Sequence, residues 1–209
     1  TTELNVFADF DPKLPDSYKS QPYLMLGNIQ PALQRSVQAQ MPSLSLVGGD
    51  TMNFWINDFR ADLEQTLQGW NFLLINDSEA LLLSGERNLK RAAAKIRALG
   101  PKILVIKRGE YGATLFHDGG FFTLPGYILD TLKDPTGAGD TFAGGFIGYL
   151  ASRGVSVETA THEDLARAVV YGSVMGGFCC EEFGPERFRT LTREDIEARF
   201  EEFRKFTAF

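Results

Sequence analysis

Cysteine and histidine are scarce in this sequence: the 209 residues contain two of each, Cys179, Cys180, His117 and His162. Adjacent cysteines are a strained geometry for a disulfide, and without a second pair there is no covalent framework. The histidines are far apart in the sequence and show no zinc-ligand spacing. Long hydrophobic runs are missing too. The longest uncharged apolar-leaning stretches, Thr141 to Ser152 and Ala168 to Cys180, fall short of the ~20 residues that span a bilayer and read as buried helices. Nor is there an excess of positive charge, with 21 Lys and Arg against 27 Asp and Glu and a formal charge of −6. That balance excludes nucleic-acid binding by phosphate neutralisation and adhesion to anionic lipid, while leaving room for one small anionic ligand. We therefore expect a reducing, cytoplasmic setting, with neither nucleic acid nor membrane as partner. The opening Thr1-Thr2-Glu3-Leu4 has no signal pattern and no initiator Met, so the chain is expected to be processed or part of something longer.

What is present is ordinary globular usage. With 44% hydrophobic and 23% charged residues, disorder and fibrous repeats are excluded. Short apolar runs at Tyr23 to Leu26, Leu44 to Val47, Phe72 to Ile75 and Ile103 to Ile106 read as strands, the second stopped by Gly48-Gly49. Between them lie helical patterns at Pro31 to Gln40, Asp58 to Gln68, Ser78 to Leu83 and Asn88 to Leu99, the last closed by Gly100-Pro101. Ala113 to Phe116 and Phe121 to Leu124, joined by Asp118-Gly119-Gly120, predict an antiparallel hairpin at an edge. Helices follow at Ala138 to Leu150, Asp164 to Phe178, and from about Arg193, the last with Thr192 and Asp195 as a capping box and Ile196, Phe200 and Phe203 as its apolar stripe. The alternation predicts one α/β domain over residues 1–209, with a largely parallel sheet and helices on both faces.

The chemically informative segment is Asp134-Pro135-Thr136-Gly137-Ala138-Gly139-Asp140-Thr141-Phe142, followed by Ala143-Gly144-Gly145-Phe146. Two glycines bracket an alanine directly before an apolar helix. The first amides of a helix have no internal partner, and with the helix dipole they make an anion site without any lysine. A plainer reading also fits: Asp140 caps the helix while Gly144, Gly145 and Gly148 allow close helix packing. The segment is neither a P-loop, since no Gly-Lys-Ser/Thr ends it, nor a dinucleotide fingerprint. Gly27-Asn28-Ile29-Gln30-Pro31, after the first strand, supplies no such fingerprint either, which argues against a nicotinamide-dependent oxidoreductase.

Over those nine positions the string resembles the signature of the ribokinase-like (PfkB) carbohydrate kinase family, with Pro135 where the family usually has Thr. Asn76-Asp77-Ser78-Glu79 is similar to the family's Asn-x-x-Glu motif, though a helix N-cap with a capping-box partner looks the same. Lys107-Arg108-Gly109-Glu110-Tyr111-Gly112 resembles its nucleotide-contacting turn, and equally a plain hairpin turn. All three follow predicted strands, at the strand ends where open α/β sheets bind ligands. Asp50-Thr51-Met52-Asn53 looks like the family's Asp-x-Asn strand end. Tyr171 to Gly177 resembles the helix lining the adenine pocket, with Ser173 in place of a common Asn, although Met and Gly at such spacing also suit packing.

The resemblance implies a kinase that transfers phosphate from ATP to a hydroxyl of a sugar or nucleoside. Asp140 is then the catalytic base, and the amides of Gly137, Ala138 and Gly139 the anion hole. Asn76 and Glu79 organise Mg2+ largely through water, Lys107, Gly109, Gly112 and Ser173 hold the nucleotide, and Asp134 and Thr136 occupy positions that help bind a monovalent cation such as K+. Family members are about half as long again, so the first central strands, the small β lid and the Gly-Gly-containing sugar motif are expected N-terminal to this chain. Asp9 and Phe10 are expected near where that lid rejoins the core. A homodimer is compatible with the resemblance. An alternative reading is a nucleotide-binding module without acceptor site or turnover. Cys179 and Cys180 are expected in the core, and Glu181-Glu182 on a solvated face.

Overall fold

The computed structural model describes residues 4–208, so the opening Thr1-Thr2-Glu3 lies outside them. The fold is α/β, with six strands, mostly parallel, and helices. The chain divides into two compact units, Thr1–Leu104 and Val105–Phe209.

The first unit runs α1 (Asp16–Lys19), β1 (Tyr23–Leu26), α2 (Pro31–Ala39), β2 (Leu46–Gly49), α3 (Asn53–Asp58), α4 (Arg60–Leu67), β3 (Phe72–Asn76), α5 (Asp77–Ser84), α6 (Leu89–Arg97) and the start of β4 (Ile103–Lys107). β1 pairs parallel with β2, and β2 with β3. Phe72, Leu73, Leu74 and Ile75 are all fully buried, so β3 is an interior strand that reads as a continuous apolar run rather than an alternation. Burial of each such side chain stabilises by roughly 1.5–3 kcal/mol.

Two boundaries depart from the sequence pattern. Gly48 and Gly49 do not stop β2; they form its second half, wholly buried. A Cβ on Gly48 would collide with the Phe72 carbonyl and ring, and one on Gly49 with the Leu26 carbonyl and the Trp70 indole. The glycines therefore let the neighbouring strand and large rings close in. The helix expected over Asp58 to Gln68 is α4, which starts at Arg60; a further helix, α3, precedes it across a break at Phe59, whose ring packs on Phe54 and Trp55 at 5.3 and 5.2 Å. α2 and α4 are joined by Arg35, which donates to the Asp62 carbonyl, the Asp62 carboxylate and the Thr66 hydroxyl.

The second unit holds the rest of β4, the hairpin of β5 (Ala113–His117) and β6 (Gly120–Leu124), and the long helices α7 (Ala138–Ser152), α8 (His162–Cys180) and α9 (Arg193–Thr207). α7 and α8 approach closely because Gly145 sits against the Tyr171 backbone and Gly172 against Phe142. Gly144 and Gly148 take no part in that packing, since neither has an atom within 4 Å of an added Cβ. Tyr171 stacks between Tyr149 and Phe200 and donates its hydroxyl to Glu197 at 2.8 Å, tying α8 to α9. Thr192 and Asp195 form the expected capping box, and Phe200 and Phe203 the buried stripe.

Glu181 is not part of a solvated face. It receives Arg199 at 2.6 Å and Arg187 at 3.2 Å, and the Arg199 guanidinium lies 3.5 Å over the Phe178 ring. The reason is the turn after α8, which carries Glu181 back toward α9. His117 and His162 also meet, Nε2 to Nδ1 at 2.8 Å across 45 positions. They form no metal centre, as no group of three His, Cys, Asp or Glu converges among the described residues. No helix among those residues is long and apolar enough to cross a membrane.

Two predictions follow from this packing. Gly48→Ala should lower stability in a denaturant titration by about 3 kcal/mol, through overpacking against main chain. Gly27→Ala, with nothing within 4 Å, should be tolerated. Burial and then the Glu197 bond push the Tyr171 hydroxyl up to about 12. Its contribution to stability is thus complete below the ordinary tyrosine value and is lost as pH rises through about 12. An ultraviolet pH titration of Tyr171→Phe should lack the tyrosine that ionises latest in the parent.

Candidate active site

The glycine string folds as a left-handed turn into α7. Gly137 is the N-cap residue at φ 82°, ψ −2°, a conformation that costs any other residue roughly 1–2 kcal/mol. Its carbonyl accepts both the Thr141 amide at 2.9 Å and the Thr141 hydroxyl at 2.8 Å, which locks the turn. The amides are not equivalent. Ala138 donates to the Pro135 carbonyl at 3.1 Å and is spent. The N–H groups of Gly137, Gly139 and Asp140 have no acceptor among the described residues. The anion-hole expectation is therefore corrected at Ala138, whose N–H closes a local turn, and the open donors are those of Gly137, Gly139 and Asp140.

Lys107, the last residue of β4, extends over this mouth: a Cβ built on Gly139 would lie 3.0 Å from its Nζ. Asp140 sits in the first turn of α7 with its side chain exposed and no side-chain hydrogen bond among the described residues. A cation, open amides and an exposed carboxylate therefore share one helix start. Such a start favours anions, and Lys107 supplies the positive charge that an acidic chain otherwise withholds. Next to Lys107, Arg108 donates to the Tyr111 carbonyl, and Gly109 and Gly112 turn the chain at φ 55° and 89°. Gly112 is obligatory for space as well, since a Cβ there would strike the Leu124 carbonyl.

Ser173 lies half-buried on α8 with no side-chain hydrogen bond among the described residues, and the glycines beside it serve packing: Gly172 against Phe142, Gly176 under the Ala138 carbonyl. Asp134 accepts the Thr136 N–H at 2.9 Å, and bonds from Thr136, side chain first and backbone second, hold its carboxyl below the usual carboxylate range. Cys179 and Cys180 are buried as expected. The Cys179 thiol has a partner that no local pattern announces, the Thr136 carbonyl at 3.4 Å.

In the first unit, Asn76 and Glu79 form a true capping box at the start of α5. Asn76 Oδ1 accepts the Glu79 N–H and Glu79 Oε2 accepts the Asn76 N–H, each at 2.8 Å. This satisfies the helix start at the end of β3, where Asn76 Oδ1 also accepts the Ser78 hydroxyl at 2.7 Å. The ends of β1 and β2 hold a polar cluster that the sequence reading did not assemble. Asn28 accepts the Trp55 indole N–H at 2.8 Å, Gln34 donates to the Gly27 carbonyl at 2.9 Å, and Asp50 and Thr51 are buried. The Thr51 hydroxyl is buried without a hydrogen-bond partner. Only the approach of α2 and α3 to the strand ends brings these residues together.

A cavity of about 820 Å³ lies elsewhere, lined by Gly148, Tyr149, Arg167, Tyr171 and Glu197 among others. Within it Tyr171 is bonded to Glu197 and Arg167 to Glu163, whereas the α7 start offers open amides. Because the αL turn is what opens the amides, Gly137→Ala should cost about 1–2 kcal/mol in thermal or chemical unfolding. Gly144→Ala, on the same helix but in open space, should be neutral or stabilise by up to about 1 kcal/mol.

The chain is similar to several known kinases. The cytidine kinase of Thermococcus kodakarensis is 43% identical over 96 residues, covering 44% of this chain and 34% of the relative. The 2-dehydro-3-deoxygluconokinase of Thermoproteus tenax is 36% identical over 121 residues, 56% of this chain and 35% of that protein. The chain thus matches about a third of the length of these curated relatives. Aminoimidazole riboside kinase from Salmonella enterica, solved with aminoimidazole riboside and an ATP analog, shares the fold at a TM-score of 0.72 and 19% identity, over 87% of this chain and 65% of that one. A family model for pfkB family carbohydrate kinases matches residues 29–190. With that match over most of its length, and with the glycine turn, open amides and Lys107 in one place, the chain belongs to the pfkB family of carbohydrate kinases.

Proposed function

We propose that the protein of which this chain is part transfers the γ-phosphoryl group of ATP to a hydroxyl of a sugar or nucleoside. One observation carries the reading: the ammonium of Lys107 lies over the first turn of α7, where the Gly139 and Asp140 amides are open and the Asp140 carboxylate faces solvent. Phosphoryl transfer asks for positioning and charge stabilisation more than for covalent chemistry. The amides of Gly137, Gly139 and Asp140 stabilise negative charge on the moving group, at roughly 3 kcal/mol per preorganised donor where water is excluded. Asp140 accepts the proton of the attacking hydroxyl. In a loose transition state that proton leaves late, so a well-placed weak base is enough. Lys107 holds the phosphates, and the Gly109 to Gly112 turn and Ser173 border the nucleotide.

Ribokinase-family kinases use ATP with Mg2+. The donors here fit a water-mediated hold rather than a closed cage: one amide oxygen and one carboxylate, Asn76 and Glu79, already oriented by their mutual bonds. Mg2+ keeps most of its water and binds through one or two carboxylates plus phosphates. When bound it offsets the charge of the phosphate chain. Asp134, exposed enough to take a monovalent cation and biased toward its charged form, is where K+ would be held, with Thr136 beside it. The acceptor class rests on the relatives, one named for cytidine and one for a sugar acid.

Asp140→Asn preserves shape and removes the base. In the full-length protein it should lower kcat by about a hundredfold or more, while calorimetry shows MgATP binding within about threefold of the parent. Loss of less than about tenfold would remove Asp140 from this role. The parent should phosphorylate a member of a nucleoside and sugar-acid panel that includes cytidine. MgATP binding with no turnover on any member would leave a nucleotide-binding module instead.

A further inference from the structure

The glycine turn lies on the C-terminal end of α8. The Cys180 carbonyl accepts the Lys133 N–H at 2.9 Å and the Asp134 N–H at 3.4 Å. Gly176 leaves room for the Ala138 carbonyl, 3.2 Å from where a Cβ would stand. Cys179, 3% exposed, donates its S–H to the Thr136 carbonyl at 3.4 Å, and its sulfur lies 3.7 Å from a Cβ built on Gly137.

The identity of that carbonyl matters. In an α-helix the N–H of residue i bonds the carbonyl of residue i−4, so Thr136 is the acceptor that Asp140 would use if α7 began one residue earlier. In the structure Ala138 takes the Pro135 carbonyl, Thr141 takes that of Gly137, and the carbonyl between them is held by Cys179 from another helix. We propose that Cys179 is a positioning residue of the phosphate site: its thiol holds the Thr136 carbonyl away from the Asp140 amide, so that this N–H stays open to the ligand. The inference rests on the phosphoryl-transfer reading for its consequence, but its geometry is independent of it. A thiol is a weak donor and suits a task in which the carbonyl has only to be kept from one competing amide.

Three variants separate the donor from the volume it fills: Cys179→Ser keeps a donor, Cys179→Val keeps bulk without one, and Cys179→Ala keeps neither. Transfer from MgATP to the parent's best acceptor should fall about tenfold in kcat for Val and Ala, with KM for ATP moving less than about threefold, and Ser should recover to within about threefold of the parent. Amide hydrogen exchange gives a readout that needs no turnover: the Asp140 N–H should exchange more slowly in Val and Ala, as it closes on Thr136, and at the parental rate in Ser. Parental kcat and exchange in Val, or Ser no better than Ala, would overturn the role of Cys179. A parent that transfers no phosphate would overturn the phosphoryl reading instead, and the exchange comparison would still decide for or against Cys179.

Discussion

The first turn of α7 is a helix start that its own chain leaves open. Any helix has unpaired amides at its N-terminus, and most proteins cover them with a serine, threonine or aspartate cap. Here the N-cap is Gly137, without a side chain and in a left-handed conformation, so no cap oxygen reaches the amides. The carbonyls that could have extended the helix backward are engaged by Ala138 and Cys179. A charge-seeking surface is built entirely from main chain, and everything else at the site serves to hold it open or bring charge to it.

Lys107 places a positive charge at this helix start in a chain whose net charge is −6. Charge summed over the whole surface is screened beyond about 10 Å in ordinary salt; a lysine over the amides is not. It arrives from the end of β4, a buried strand with little freedom to move. The absence of a side chain at Gly139 is what lets it lie there. At α5 the helix start is closed instead, by the reciprocal bonds of Asn76 and Glu79.

The glycines divide by cause. Gly48, Gly49, Gly145 and Gly172 are small because main chain or a large ring occupies the space a Cβ would take. Gly137 is glycine because of its backbone angle. The sequence pattern marks Gly145 as room for helix packing and Gly137 as a turn, but it makes Gly48-Gly49 a strand stop, because nothing local shows that Phe72, Leu26 and Trp70 close on them. The Glu181-Glu182 pair shows a related limit. Two adjacent acids read as a solvated face, yet Glu181 is bound by two arginines brought by later segments.

Strand and helix order, the α/β class, the buried runs of β3 and β4, the capping boxes at Asn76 and Thr192 and the glycine turn that opens α7 at Gly137 were all legible in the sequence. Each depends on residues within a few positions of one another, where period and turn chemistry act. Tertiary structure alone decided that Gly48-Gly49 belong inside a strand, that Lys107 covers Gly139, that Asn28 meets Trp55, and that the Cys179 thiol takes the Thr136 carbonyl. Those contacts join residues 24 to 43 positions apart, and no local periodicity encodes which side chain a fold will bring to a given carbonyl.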